Sequence, residues 1–196
     1  MECGGRGPLT SRPPPPAGTL DMTTPEAPKP AAFLDRDGVL NVDHNYVHRV
    51  DQLEWIERVP EAIRLLNDAG YLVIVVTNQA GVARGYYDEA AIDALHAHMR
   101  AYLSARGARI DAFYYCPHHP DGKVAAYAKS CDCRKPGAGM LEQAARDWPI
   151  DRARSFMIGD KDIDIGAANA FGIRGALFNA ATDRLPDLMR RMIASR

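Results

Sequence analysis

The sequence predicts an α/β fold, a parallel sheet with helices on both faces. Three observations lead there. Tyr71–Val76 is a continuous apolar run rich in β-branched residues, which suits a strand buried on both sides. From residue 31 onward, such runs alternate with segments whose apolar residues repeat at helical spacing. Finally, 196 residues, 46% hydrophobic and 25% charged, make one ordinary domain with a tail.

The elements follow in order. Residues 1–30 hold eight of the fourteen prolines, including Pro13–Pro16, and almost no aliphatic side chains. They cannot bury enough apolar surface to offset their ordering entropy, so they are expected to form a disordered tail ahead of a domain over 31–196. No apolar stretch follows the tail's arginines, as a secretory leader would require. Ala31–Asp35 reads as the first strand. Pro60–Ala69 reads as a helix with Pro in its first turn and Gly70 just past its end. Tyr71–Val76 is the second strand. Asp88 can cap a helix reaching about Arg106, with Ile92, Leu95, Met99 and Leu103 on one stripe. His96 and His98 fall off that stripe and are expected to be solvated. Ala112–Tyr115, Ser155–Ile158 and Ala176–Phe178 read as further strands. Met140–Asp147, Asp162–Phe171 and Leu185–Ala194 read as helices.

Composition excludes several classes. Lys and Arg number 24 against 25 Asp and Glu, a net charge of -1, so no basic footprint for nucleic acid exists. No apolar run approaches the roughly eighteen residues of a membrane span. Four cysteines are too few for a disulfide scaffold, and three of them crowd into one stretch, which points to metal.

In an open parallel sheet, ligands bind beyond the carboxyl ends of the strands. Asp35-Arg36-Asp37-Gly38 follows the first strand, Thr77-Asn78-Gln79 the second, and Gly159-Asp160-Lys161-Asp162-Ile163-Asp164 the fourth. Arg134-Lys135-Pro136 precedes a helix. Asp35, Asp37 and Asp160 would repel one another; two unit charges at 4 Å cost about 4 kcal/mol at an effective dielectric near 20. A hard divalent cation relieves this, and Mg²⁺ is the natural one beside phosphate. Thr77 and Lys135 would then hold phosphate oxygens.

Cys116-Pro117-His118 is followed, after twelve residues, by Cys131-Asp132-Cys133. Three thiols and an imidazole form the Cys₃His set of a structural Zn²⁺ site, with no open position for catalysis. The C-x-H and C-x-C alternation favours His118, with His119 as the alternative. Between them lies a segment of little apolar content that the metal would order, and the site ends just before Arg134 and Lys135.

These segments resemble, in order and placement, the four motifs of the haloacid dehalogenase superfamily of phosphatases, over about residues 31–180. The resemblance implies a Rossmann-like three-layer fold. About forty residues between Asp37 and Thr77 leave no room for a large cap domain. It also implies a covalent mechanism: Asp35 as nucleophile, Asp37 as acid and then base, and Mg²⁺ on Asp35, Asp160 and the main-chain carbonyl of Asp37. Thr77 and Lys135 would hold the phosphoryl group, with Asp164 supporting Lys135 or the metal. With its zinc loop, the chain is similar to the branch containing the heptose-bisphosphate and histidinol-phosphate phosphatases, and the longer loop favours the former. That branch implies a substrate-facing set of Asp43, His44, Asn45, Tyr46, Thr77, Asn78, Gln79, Ala80, Arg134 and Lys161. Arg134 is the candidate for a distal, uncleaved phosphate. The expectation is a cytoplasmic, monomeric enzyme that removes the 7-phosphate of heptose 1,7-bisphosphate. Histidinol phosphate is the alternative substrate, and a zinc-stabilised binding module that has lost catalysis is the reading from another class.

Overall fold

The computed structural model describes residues 27–195. Most of the expected tail, Cys3 included, lies outside the described residues. Lys29 and Pro30 are already tied to the domain: Lys29 N donates to Pro149 O at 2.9 Å, and Leu72 N to Pro30 O at 2.9 Å.

Five strands form one sheet: β1 (Ala31–Leu34), β2 (Leu72–Asn78), β3 (Ala112–Cys116), β4 (Phe156–Gly159) and β5 (Arg174–Leu177). Their order is β3-β2-β1-β4-β5, and every pairing is parallel. The chain winds outward from β1 to β3, then returns to lay β4 on the other side of β1. The winding reverses between β1 and β4, so their carboxyl ends flank the crevice where such sheets bind ligands.

Side chains alternate across the sheet. Ala32, Leu34, Val73, Val75, Phe156 and Ile158 face one core, with α1 (Val59–Asp68), α3 (Glu89–Ser104) and α6 (Leu185–Ala194). Ala31, Phe33, Ile74, Val76, Tyr114 and Met157 face the other, with α4 (Gly139–Asp147) and α5 (Asp162–Phe171). This is the three-layer arrangement. Phe33 is fully buried and meets Phe171 edge-on at 5.6 Å; burying such a ring is worth roughly 1.5–3 kcal/mol.

The helix ends follow local chemistry. Pro60 sits in the first turn of α1, and Asp88 caps α3 by accepting from Ala91 N at 2.9 Å. The structure adds α2 (Gly81–Arg84), a single turn too short to leave a periodic signal. β5 starts earlier than expected: it is an edge strand, alternately half-buried and exposed, so its apolar pattern is weak. His96 is a correction. It is 5% exposed, stacked on Phe113 at 4.3 Å, with Nε2 3.4 Å from Nη1 of the fully buried Arg36. It widens the buried stripe of α3 because it packs against a polar group that arrives from β1, which no helical periodicity reports.

Between β1 and β2 stand only a 3₁₀ turn (Val50–Gln52) and α1, so there is no large cap. Residues 117–138 carry no helix or strand. Among the described residues, no helix is long and apolar enough to cross a membrane.

Candidate active site

The carboxyl ends of β1, β2 and β4 deliver the expected residues to one place. Asp35 leaves β1 with its N–H donating to Ile158 O of β4 at 2.9 Å. Its Oδ1 accepts from Arg36 N at 2.7 Å and lies 2.9 Å from Lys135 Nζ. Lys135, 2% exposed, also reaches Asp164 Oδ1 at 2.6 Å and donates to Val76 O at 3.0 Å. Asn78 clamps the main chain of the same lysine: Lys135 N donates to Asn78 Oδ1 at 3.0 Å, and Asn78 Nδ2 to Lys135 O at 3.1 Å.

The electrostatics are those of a crowded buried site. Burial, reinforced by the Asp164 and Asp37 charges, pushes Asp35 up to about 7 against the pull of Lys135. Burial also opposes the charge on Lys135, but Asp35 and Asp164 outweigh it and hold its ammonium above the usual lysine range. Asp160 is raised, by burial first. Lys161 is raised despite burial, because Asp43 at 2.9 Å and Asp160 at 3.4 Å both face it.

Asp35, Asp160 and Asp164 each offer an oxygen within 4.8 Å of the others. Asp160 Oδ1 is buried and has no hydrogen-bond partner. An all-carboxylate donor set with an orphaned oxygen fits a hard cation such as magnesium. Gly38 makes the approach possible: its φ is +88°, and a Cβ there would collide with the Asp160 carboxylate. The Asp37 carboxylate lies outside this trio. Arg36 holds it through Nε at 3.2 Å and Nη2 at 3.0 and 2.9 Å, and Asn41 Nδ2 donates to it at 2.9 Å.

The second cluster is the cysteine set. The three Sγ–Sγ separations among Cys116, Cys131 and Cys133 are 3.5, 3.3 and 3.1 Å. His118 Nδ1 lies 3.8 Å from Cys116 Sγ and 3.3 Å from Cys133 Sγ. Tetrahedral zinc with Zn–S bonds near 2.3 Å implies edges of roughly 3.8 Å, so four soft and borderline donors enclose a space of the right kind. Contact with Cys116, then burial, pushes the Cys133 thiol up; only a bound cation makes such crowding favourable for thiolates. The histidine grouped with the three thiols is His118, and His119 instead accepts at Nδ1 from Asp121 N at 3.1 Å.

A cavity of about 280 Å³ opens over Asp35. Of the expected residues, Asp37, Asp43, Asn45, Tyr46, Thr77, Asn78, Gln79, Ala80, Arg134, Lys135 and Lys161 line it. His44 does not; it turns outward and lies 2.8 Å from Glu54. Sequence reasoning missed Arg84, Tyr87, His119 and Ile163, which complete the lining. Only the His118–His119 ambiguity hinted at any of them. Arg84 and Arg134 form no ion pair among the described residues, and Arg84 Nε is buried without a partner. With burial first, these two cations hold His119 below the usual histidine range.

Carboxylates, a hydroxyl and a lysine gathered at the winding reversal of a capless parallel sheet define a haloacid dehalogenase-like phosphatase. A family profile described as HAD-hydrolase-like matches residues 132–194. The D-glycero-beta-D-manno-heptose-1,7-bisphosphate 7-phosphatase of Rhodopseudomonas palustris is 49% identical over 157 residues, 80% of this chain and 87% of that protein. The Escherichia coli K12 enzyme of the same name is 49% identical over 144 residues, 74% of this chain and 75% of its own. Among solved structures, a D,D-heptose 1,7-bisphosphate phosphatase from B. bronchiseptica, complexed with magnesium and phosphate, is 29% identical with a TM-score of 0.70, covering 85% of this chain and 99% of its own. The chain belongs to the D-glycero-beta-D-manno-heptose-1,7-bisphosphate 7-phosphatase family.

Proposed function

We propose that this protein hydrolyses the 7-phosphate of D-glycero-D-manno-heptose 1,7-bisphosphate through an aspartyl-phosphate intermediate. The observation that carries the reading is the convergence of Asp35, Asp37, Thr77 and Lys135 on one cavity whose rim is cationic. Asp35 attacks phosphorus, the bond from phosphorus to the sugar oxygen breaks, and Asp37 gives its proton to that leaving oxygen. Asp37 then takes a proton from water. The water oxygen attacks the aspartyl phosphate, inorganic phosphate departs, and the Asp35 carboxylate is restored. Thr77 and Lys135 hold the equatorial oxygens, and Lys135 is itself fixed by Asp164 and Asn78. A magnesium ion on Asp35, Asp160 and the Asp37 carbonyl would neutralise phosphoryl charge as it develops. Zinc on Cys116, His118, Cys131 and Cys133 would hold the loop that ends in Arg134 and Lys135.

The rim favours a bisphosphate over histidinol phosphate. Arg84 and Arg134 have no carboxylate partner among the described residues, so a second phosphate would be drawn to them, while a cationic amino alcohol would be repelled. The test is phosphate release in the presence of Mg²⁺, comparing the α and β anomers of heptose 1,7-bisphosphate with histidinol phosphate. A large kcat/KM preference for either heptose anomer is expected; a preference for histidinol phosphate overturns the substrate assignment.

A further inference from the structure

Gln79 lines the cavity wall, yet it is 2% exposed and both ends of its carboxamide are already bonded. Nε2 donates to Thr77 Oγ1 at 2.8 Å and to Asp37 Oδ2 at 3.2 Å. Oε1 accepts from the Tyr87 hydroxyl at 2.8 Å. A carboxamide nitrogen has two hydrogens, and both are committed. We propose that Gln79, oriented by Tyr87, is a positioning residue that joins Thr77 to Asp37, and that it does not bind substrate. The inference rests on the phosphoryl-transfer reading above.

The direction of each bond carries the argument. Thr77 Oγ1 accepts from Gln79, so one of its lone pairs is used and its own hydrogen is left to point at a phosphoryl oxygen. Gln79 also steadies the Asp37 oxygen opposite the one held by Asn41. A flipped amide would do the reverse. Its oxygen would face the Asp37 carboxylate, and the Thr77 hydrogen would be drawn to the amide instead of the substrate. The ionised Asp37 carboxylate, which can only accept, selects against that flip, and the Tyr87 hydroxyl then holds Oε1 in place by donating to it.

Tyr87 is built into this place. A Cβ on Gly81 would collide with its ring, so only glycine in α2 lets the ring reach Gln79. The ring also stacks on His48 at 4.5 Å, nearly parallel at 13°. His48 belongs to the loop after β1 that also carries Asp43–Tyr46.

The test measures kcat and KM separately, with p-nitrophenyl phosphate and with heptose 1,7-bisphosphate. Gln79→Met keeps the side-chain volume and removes the bonds. It should lower kcat by about ten- to a hundredfold with KM within about threefold, less than the roughly 10²–10³-fold cost of losing a donor that touches the reacting oxygen, because Gln79 acts through Thr77 and Asp37. Tyr87→Phe should lower kcat by about fivefold alone and by less than twofold in the Gln79→Met background, because it acts through Gln79. A rise in KM with kcat unchanged would make Gln79 a substrate ligand and overturn the proposal, as would additive costs of the two substitutions. Should Gln79→Met lose its cooperative melt, Tyr87→Phe decides alone, by a kcat loss at unchanged KM. Wild-type turnover of p-nitrophenyl phosphate without a preference for heptose bisphosphate would sink the substrate assignment and leave this test readable.

Discussion

Asp35 and Asp160 stand at the ends of β1 and β4, where the parallel ladder pairs Leu34 with Ile158 just beneath them. Lys135 and Arg134 reach the same cavity on residues 117–138, which have no helix or strand. The first region is held by main-chain hydrogen bonds between buried strands. The second is held at the Cys₃His cluster and by the Asn78 clamp on Lys135. The proposed nucleophile and the proposed phosphate-binding cations are thus placed by different means, and each can be removed separately.

The sharpest break is at the proposed nucleophile. Asp35→Asn should reduce turnover by about 10⁴-fold or more while the thermal melt stays near that of the wild type, because the ladder does not depend on the side-chain charge. Residual turnover near the wild-type rate would end the covalent mechanism. The matching change in the loop is Cys131→Ser. It should release zinc, measured by metal analysis, and cut kcat by roughly a hundredfold while also lowering the melting temperature, since the loop loses its staple. A protein purified without zinc would remove this explanation of the loop.

Two smaller effects separate positions within each region. Arg134→Ala should raise KM for the bisphosphate by about tenfold and for a monophosphate much less. Equal effects would take Arg134 off the distal phosphate. On the sheet side, His96 is held well below its usual value by burial first, then by Arg36 and Arg100. A depressed histidine is neutral in the fold but takes a proton in the unfolded chain. Stability should therefore fall as pH drops below about 6.5, by up to about 1.4 kcal/mol per pH unit. Denaturant unfolding between pH 7 and 5 should show a shallower slope for His96→Gln; an unchanged slope would assign the acid sensitivity elsewhere.

The comparison also explains what was readable in advance. Asp35, Asp37, Thr77, Lys135, Asp160 and the three clustered cysteines stand at strand ends or in tight local spacings, so the residue string displays them. Arg84, Tyr87 and His119 carry no such mark. They reach the cavity because α2 turns the chain back over it and because His119 follows His118 of the cysteine cluster. His44 lies inside the segment resembling a substrate loop, yet Asn45 and Tyr46 adopt φ of 59° and 58° and the chain bends there. The bend leaves His44 beside Glu54.

From the sequence alone came the layered α/β class, the strand-end carboxylates, the cysteine cluster and the absence of a large cap. Each of these follows from local periodicity, from short spacings or from the length of chain between two motifs. The tertiary structure decided which histidine joins the cysteines, that Asp164 pairs with Lys135, and that Gln79 faces Thr77 and Asp37 under the hand of Tyr87. Those contacts depend on the direction of side chains that meet across strands and loops, and direction is set only when both cores close around the sheet.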